Sequence, residues 1–301
     1  MKAVQFSEFG GPDVLKLVET DAPHAGAGQV RIAVRAAGVN PAEWKVRAGY
    51  FKDFMPVEFP SGVGFEAAGI VDEVGEGVTG IAPGDAVFGA GTGTVAEHAV
   101  LNYWTLKPDD MPFDVAGGLA VASETAIRCL NYVGAKAGET VLACGAAGGV
   151  GSTLIQIARA RGITVIGTSS APKHDYLRDL GAVPTTYEPG LADRVKELAP
   201  QGVDAAVDLA GAGNIPELIS ITGQAERVLS IVDFTAPEHG AQFTPMPQEH
   251  PEKALAEAAQ LYSDGALRLH VEKTYPMAET AAAQALSAEG HVTGKLVITM
   301  G

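Results

Sequence analysis

The chain has 301 residues, of which 47% are hydrophobic and 19% charged, and its formal net charge is −15. These proportions are typical of a folded globular protein of one or two domains. An acidic chain without a Lys/Arg cluster argues against nucleic-acid binding, and no run approaches the roughly 20 apolar residues that cross a membrane. Two cysteines, Cys129 and Cys144, exclude a disulfide framework, and together with an N-terminus that lacks a secretory pattern they predict a cytoplasmic protein.

Residues 1 to about 119 have the pattern of a β-rich domain. Short hydrophobic runs at 30–35, 68–74 and 86–88 lie between turns rich in Gly, Pro and Asp. We expect these strands to form a compact antiparallel or barrel-like domain.

From about residue 120 the pattern changes to strands and helices in alternation. The predicted strands are 140–144, 163–168, 182–186, 203–209 and 226–232, and the predicted helices are 150–161, 171–180, 190–198 and 213–221. This alternation predicts a parallel sheet with right-handed crossovers. The segment 237–247 is predicted as a loop that covers the substrate.

The C-terminal residues return to a strand pattern, at 267–271 and 294–299, around one helix. Because this pattern resembles the start of the chain, we predict that the tail rejoins the first domain. The sequence therefore predicts one domain formed by 1–119 with 267–301, and a second formed by 120–266.

A glycine-rich turn, 145–151, connects the buried strand 140–144 to the following helix. Gly145 permits a tight exit from the strand, Gly148 and Gly149 let backbone N–H groups approach a pyrophosphate, and Gly151 allows close helix packing. The positive end of the helix dipole favours a phosphate at the same place. The alternative is a turn that packs the helix without a ligand. The predicted dinucleotide contacts are Gly145, Ala147, Gly148, Gly149 and Val150.

The end of the second strand indicates which dinucleotide binds. An NAD site places Asp or Glu about 20 residues after the glycines, where it bonds the ribose 2′-hydroxyl. Here Thr168 is followed by Ser169, Ser170 and then Lys173, which are suited to a 2′-phosphate. The alternatives are a helix N-cap for Ser169 and a solvated helix charge for Lys173. Together with the absent acid, these residues favour NADPH; Tyr187 is a further candidate for the adenosine end.

Several ordered segments together resemble the medium-chain dehydrogenase/reductase superfamily, in its quinone oxidoreductase (zeta-crystallin-like) branch. The matching segments are 40–49, 60–71, 83–89, 93–98, the glycine turn and 290–297. The resemblance implies an α/β protein with a GroES-like β-rich domain, a Rossmann doubly wound parallel-sheet domain and a substrate cleft between them. It also implies a homodimer, for which the residues themselves give no further indication.

The sequence departs from the zinc-dependent members of that superfamily. Gly38 to Asn40 contain no thiol, and Phe65 stands where those members have a zinc-binding His. A zinc site needs three or four N, S or O ligands, so we predict no metal. Simple alcohol oxidation would lack its Lewis acid. Hydride delivery to an acceptor that is already electrophilic, a quinone or an α,β-unsaturated ketone, is therefore favoured.

The resemblance also implies site residues outside the glycine turn. Asn40, whose amide could donate to a carbonyl oxygen, and Tyr50 are the predicted catalytic residues. Asn40 is also a predicted cofactor contact, with Thr125 and Lys295. The alternatives are a turn for Asn40-Pro and a helix cap for Thr125.

The ends of the fourth and fifth strands are where a doubly wound sheet binds its ligand. Ala210, Ile231, Val232 and Asp233 lie there, and their backbone is predicted to bond the nicotinamide carboxamide.

These observations predict a zinc-independent, NADPH-dependent oxidoreductase that transfers hydride to quinones or other activated acceptors. An alkenal or enone double-bond reductase needs the same hydride geometry and stays an alternative. A NADPH-binding structural or sensory protein with little turnover is a second alternative, because no motif here demands turnover.

Overall fold

The computed structural model describes residues 1–53 and 55–301, which divide into two compact units. The first unit consists of Met1–Val121, Leu255–Ser263 and Leu269–Gly301, and the second of Ala122–Ala254 and Asp264–Arg268. The predicted domain bounds differ from this division in three places. Residues 120–121 and Leu255–Ser263 group with the first unit, and residues 267–268 group with the second. Within the described part of the chain, no helix is long and apolar enough to span a membrane.

The N-terminal part of the chain forms mainly strands. They are β1 (Lys2–Phe6), β2 (Lys16–Glu19), β3 (Val30–Val39), β4 (Ser61–Gly62), β5 (Glu66–Val74), β6 (Ala86–Gly91) and β7 (His98–Leu106), with helices α1 (Pro41–Arg47) and α2 (Phe113–Gly117) and a 3-10 helix at Pro12–Val14.

The remaining elements alternate until the C-terminal return. They are α3 (Ala120–Tyr132), β8 (Thr140–Cys144), α4 (Gly149–Ala160), β9 (Thr164–Thr168), α5 (His174–Leu180), β10 (Val183–Thr185), α6 (Leu191–Leu198), β11 (Ala205–Asp208), α7 (Ile215–Thr222), β12 (Val228–Ser230), β13 (Gln242–Phe243), α8 (Pro251–Ser263), β14 (Val271–Pro276), α9 (Thr280–Ala288) and β15 (Lys295–Thr299). Short 3-10 helices lie at Ala171–Lys173, Ala225–Arg227, Ala236–His239 and Met277–Glu279.

The first unit is built on a curved sheet in the order β14-β15-β3-β5-β6-β7, in which β3 also pairs with β7. Val30, Ile32 and Val34 of β3 alternate into the core, as expected for a strand with one buried face. The C-terminal strand β15 pairs antiparallel with β3, so the tail does return to the first unit.

The second unit contains a parallel sheet in the order β10-β9-β8-β11-β12-β13. The order runs outward in both directions from the neighbouring strands β8 and β11, so the topological switch point lies between them. The predicted fold class, a GroES-like β domain with a parallel Rossmann sheet, is confirmed.

Two sequence predictions are wrong in detail. The segment 237–247 is not all loop, because β13 lies within it and pairs parallel with β12. Of the predicted strand 267–271, only Val271 lies in a strand, because β14 begins there. The carbonyl of the preceding residue, His270, accepts the Lys295 N–H at 2.9 Å. At Arg268 a side chain takes the place of a neighbouring strand. The Gln156 amide donates to the Arg268 carbonyl and accepts from the Arg268 N–H, both at 2.9 Å.

Candidate active site

The glycine turn begins where β8 ends, and Thr168 holds its shape. Gly145 has φ +81°, a left-handed conformation that glycine adopts without strain. Its N–H donates to the Thr168 hydroxyl at 3.2 Å, and the Ala146 N–H donates to the Thr168 carbonyl at 3.0 Å. Thr168 is fully buried. Thr168 therefore stabilises the turn by hydrogen bonds from a buried position, whereas the sequence predicted a direct contact with the cofactor.

Two glycines of the turn differ in the space around them. A Cβ on Gly148 would meet nothing closer than the Gly145 carbonyl oxygen at 3.7 Å, so the face above Gly148 is open. A Cβ on Gly151 would lie 2.6 Å from both Ala146 Cα and the Gly145 oxygen, so Gly151 is required for packing. Gly148 is the N-cap of α4 and supplies no side-chain cap. Backbone N–H groups at the start of this helix are suited to an anion on the open face.

Ser169, Ser170 and Lys173 follow β9 within one turn. The Ser169 N–H donates to the Thr185 carbonyl at 3.0 Å, and its hydroxyl donates to the Ser170 carbonyl at 3.2 Å. Ser170, not Ser169, is the N-cap of the following 3-10 helix, and its side chain makes no cap hydrogen bond. The Lys173 N–H donates to the Ser170 carbonyl, and this hydrogen bond keeps the Lys173 backbone close to the end of β9. Tyr187, after β10, is 61% exposed.

Thr125 lies inside α3 and not at its start, so the helix-cap alternative is wrong. Its side chain is buried, and its hydroxyl oxygen accepts a hydrogen bond from Arg128 Nη2 at 3.2 Å. Arg128 is itself held by a buried ion pair with Glu124 at 3.0 Å and by the Thr244 carbonyl at 2.8 Å. Because Arg128 occupies the oxygen of Thr125, the Thr125 O–H is oriented to donate.

The backbone at the ends of β11 and β12 is predicted to bond the nicotinamide carboxamide, and its N–H groups already have acceptors. Ala210 N–H donates to Asp208 Oδ1 at 3.0 Å, and the N–H groups of Val232 and Asp233 donate to Ser230 Oγ at 3.1 and 2.9 Å. The Ile231 N–H donates to the Asp208 carbonyl. A ligand at this edge would therefore use carbonyl oxygens. Sequence reasoning missed Asp208 and Ser230, although a carboxylate and a hydroxyl at two neighbouring strand ends were visible signals.

Asn40, Glu66 and Lys295 form a buried polar cluster in the first unit. Lys295 Nζ donates to Asn40 Oδ1 and to Glu66 Oε1, both at 2.6 Å. The two amide hydrogens of Asn40 have acceptors in Glu66 Oε1 at 2.9 Å and Glu43 Oε1 at 3.1 Å. This arrangement does not support the predicted donation from Asn40 to a substrate carbonyl, because both hydrogens are used. It also commits Lys295 to the cluster, where a cofactor contact was predicted.

The two carboxyl groups of the cluster differ in their surroundings. Glu66 is fully buried, pairs with Lys295, and accepts the Val121 N–H at 2.7 Å. Glu43 is also buried, but its Oε2 has no hydrogen-bond partner. Burial raises the pKa of Glu43 to about 8, against the lowering effect of the Asn40 hydrogen bond and the Lys295 charge. Glu43 is therefore a protonated acid at neutral pH. Neither carboxyl group was predicted from the sequence.

Tyr50 and Phe65 complete the predicted positions in the first unit. Tyr50 is 64% exposed and packs edge-on against Trp44, with ring centroids 5.8 Å apart. Phe65 is apolar and cannot ligate a metal. Across residues 1–53 and 55–301, no group of three or more His, Cys, Asp and Glu side chains is placed to hold a metal ion. These residues do not fit a zinc centre.

Comparison with known proteins gives related results for both units. A family model of the alcohol dehydrogenase GroES-like domain matches residues 26–111, and one described as zinc-binding dehydrogenase matches residues 180–298. The quinone oxidoreductase of Rattus norvegicus is 34% identical over 241 residues, which cover 77% of this chain and 73% of that protein. The 2-methylene-furan-3-one reductase of Solanum lycopersicum is 36% identical over 197 residues, which cover 60% of this chain and 50% of the relative.

A solved mycobacterial structure complexed with NADPH superposes with a TM-score of 0.86 at 30% identity, covering 99% of this chain and 100% of that one. Fold, glycine turn and relatives together define an NAD(P)H-dependent oxidoreductase. The chain belongs to the medium-chain dehydrogenase/reductase superfamily, in its quinone oxidoreductase-like branch of the zeta-crystallin type.

Proposed function

We propose that the protein is a NADPH-dependent reductase that transfers hydride to quinones or other activated carbonyl and enone acceptors without zinc. The open face above Gly148 carries the proposal. It combines a glycine whose Cβ position meets only one atom, at 3.7 Å, with the start of α4 and the switch point of the sheet. This is the arrangement that binds a dinucleotide pyrophosphate.

The choice of NADPH over NADH rests on the turn after β9. Ser169, Ser170 and Lys173 follow one another there, and the chain has no carboxylate between Thr168 and His174. An ammonium group and a hydroxyl favour a 2′-phosphate, whereas an acid would repel it.

A matched pair of variants tests this choice. Lys173→Glu should raise the KM for NADPH at least about tenfold and change the KM for NADH little. Lys196→Glu, an exposed site on α6, makes the same charge change away from the turn and should alter neither value. Equal effects of both variants on the two cofactors would contradict the assignment.

Bound NADPH supplies the hydride, and the chain's part is to position and to hydrogen-bond. A quinone or an enone is already electrophilic, so correct placement lowers the barrier without a Lewis acid. The Thr125 hydroxyl, whose oxygen accepts the hydrogen bond from Arg128, is the proposed donor to the acceptor's carbonyl oxygen. Asn40 and Lys295 act in this proposal through the buried cluster, which fixes the start of α1. Tyr50 contributes an exposed aromatic ring for the substrate to pack against.

An enone double-bond reductase is the second candidate, because the tomato relative carries that activity in its name. The two candidates differ in the bond that is reduced and not in the hydride donor. A NADPH-binding protein with little turnover is the third possibility.

A panel of acceptors separates these functions. With NADPH held constant, kcat/KM is measured for quinones, for enones and for unactivated ketones, using the loss of reduced-nicotinamide absorbance. The proposal predicts turnover with quinones and none with unactivated ketones. Higher kcat/KM for enones would favour the second candidate, and tight NADPH binding without turnover of any acceptor would refute both enzymatic functions.

A further inference from the structure

Asp208 is a buried acid at the switch point of the parallel sheet. It is the last residue of β11, and in register it lies beside Cys144 at the end of β8 and Ser230 at the end of β12. Its exposed fraction is 0%. An acid is rarely buried unless its oxygens are well bonded, so its partners indicate what it does.

The partners of Asp208 are neutral donors. Oδ1 accepts the N–H groups of Ala210 at 3.0 Å and Gly211 at 2.9 Å, and Oδ2 accepts the Ser230 hydroxyl at 2.7 Å. Three hydrogen-bond donors are therefore directed at this one buried carboxyl group. Because the donors carry no net charge, they satisfy the oxygens without neutralising the field of the carboxylate.

The field of Asp208 extends to the neighbouring strand. Burial, above all, raises the pKa of the Cys144 thiol to about 12, and the negative charge of Asp208 contributes to the same rise. The next residue, Gly145, opens the glycine turn, and a Cβ there would lie 3.2 Å from the Cβ of Ala210. The turn that Asp208 holds is therefore packed against the turn on which the pyrophosphate is proposed to lie.

Asp208 also organises the end of β12 through Ser230. The Ser230 hydroxyl donates to Asp208 and accepts the N–H groups of Val232 and Asp233. A Cβ on Gly211 would lie 3.2 Å from Val232 Cγ2, so the two strand ends are in contact. One buried acid thus fixes both turns at the carboxyl edge of β11 and β12.

The sheet order assigns a half of the dinucleotide to each side of the switch point. With the pyrophosphate on the turn after β8, the adenosine half would lie toward β9 and β10, where Ser170 and Lys173 are. The nicotinamide half would then lie toward β11 and β12. When an acceptor takes a hydride from the cofactor, the nicotinamide ring is oxidised and gains a positive charge, and the acceptor is reduced.

We propose that Asp208, held by Ser230, is a positioning residue for the nicotinamide half whose buried negative charge favours the oxidised cationic ring over the neutral reduced one. The inference rests on the proposed NADPH function and adds to it a residue that makes the bound cofactor a stronger hydride donor. The effect is electrostatic, and so it acts differently on the two oxidation states.

The test compares the Kd values for NADP⁺ and NADPH, measured by calorimetric titration of the full chain. Asp208→Asn should raise the Kd for NADP⁺ roughly tenfold more than the Kd for NADPH, which corresponds to about 30 mV in the potential of the bound couple. Asp208→Ser removes the same charge with a smaller side chain that still accepts an N–H, and should shift the ratio in the same direction. Ser230→Ala keeps the charge and should change both Kd values alike.

Two controls distinguish this effect from a general loss of folding or of cofactor binding. Asp204→Asn alters an acid near the amino end of the same strand, where it accepts the Thr140 N–H, and should leave the ratio unchanged. Adenosine 2′,5′-bisphosphate, which lacks the nicotinamide half, should bind the wild type and Asp208→Asn equally. If Asp208→Asn and Asp208→Ser change both Kd values equally, or abolish both, the inference is refuted. If the wild-type protein binds neither nucleotide, it is the proposed function that fails.

Discussion

Replacing Glu43 with glutamine should change how the stability of the protein depends on pH. Glu43 is buried with an unpartnered Oε2, and burial raises its pKa from 4.5 to about 8. The folded protein therefore holds the proton more tightly than the unfolded chain does. The stability that this proton contributes is fully present below about pH 4.5 and is lost progressively as the pH rises toward 8.

The two pKa values give the size of the effect. Proton linkage makes the folded state about 2 to 3 kcal/mol less stable at pH 7 than at pH 5 because of this one group. Glutamine has a similar shape and does not titrate. Between pH 5 and pH 7, Glu43→Gln should therefore gain about 2 to 3 kcal/mol of stability relative to the wild type.

Urea unfolding of the wild type and the variant at both pH values measures this difference, and other titrating groups cancel in the comparison. Glu76→Gln, at an exposed site of the first unit, is the matched control, and its free energy of unfolding should change with pH as that of the wild type does. If the free energy of unfolding of Glu43→Gln also changes with pH as in the wild type, Glu43 is not a buried protonated acid and the reasoning from burial is wrong.

Two further predictions concern the glycine turn and the buried ion pair. Gly148→Ala should lower the thermal midpoint less than Gly151→Ala does, because its Cβ would meet only the Gly145 oxygen at 3.7 Å, yet raise the Kd for NADPH at least about tenfold. Gly151→Ala should instead lower the free energy of unfolding by about 1 to 3 kcal/mol, since its Cβ collides with backbone; the reverse pattern would contradict both assignments. Lys295→Met should cost about 3 to 5 kcal/mol in urea unfolding by leaving Glu66 uncompensated, and adding Glu66→Gln should restore part of that loss.

The parallel sheet was predictable because four of its strands, β8, β9, β10 and β11, are each followed by an α-helix after a short connection. Strand β13 was not, since two residues, Gln242 and Phe243, give no periodic signal. The prediction of a strand at 267–271 was wrong for another reason. Its hydrophobic residues Leu267 and Leu269 are buried as expected, but Gln156 takes the hydrogen bonds that a neighbouring strand would have made.

Part of the candidate site could likewise be predicted from the sequence, and part could not. The glycine turn and the residues after β9 are contiguous in sequence, so local pattern sufficed to propose them. The Asn40 cluster is not contiguous: Lys295 lies 255 residues from Asn40 and 229 from Glu66. Only the pairing of β15 with β3 brings these side chains together, and that pairing uses up the amide hydrogens that the sequence had assigned to a substrate.

The proposed function requires that the chain use NADPH to reduce an activated acceptor. It is tested by the initial rate at which the wild-type protein oxidises NADPH, and separately NADH, with a saturating quinone. We expect oxidation of NADPH with a kcat/KM at least about tenfold above that of NADH. Preference for NADH, or tight binding of NADPH that no acceptor oxidises, would contradict it.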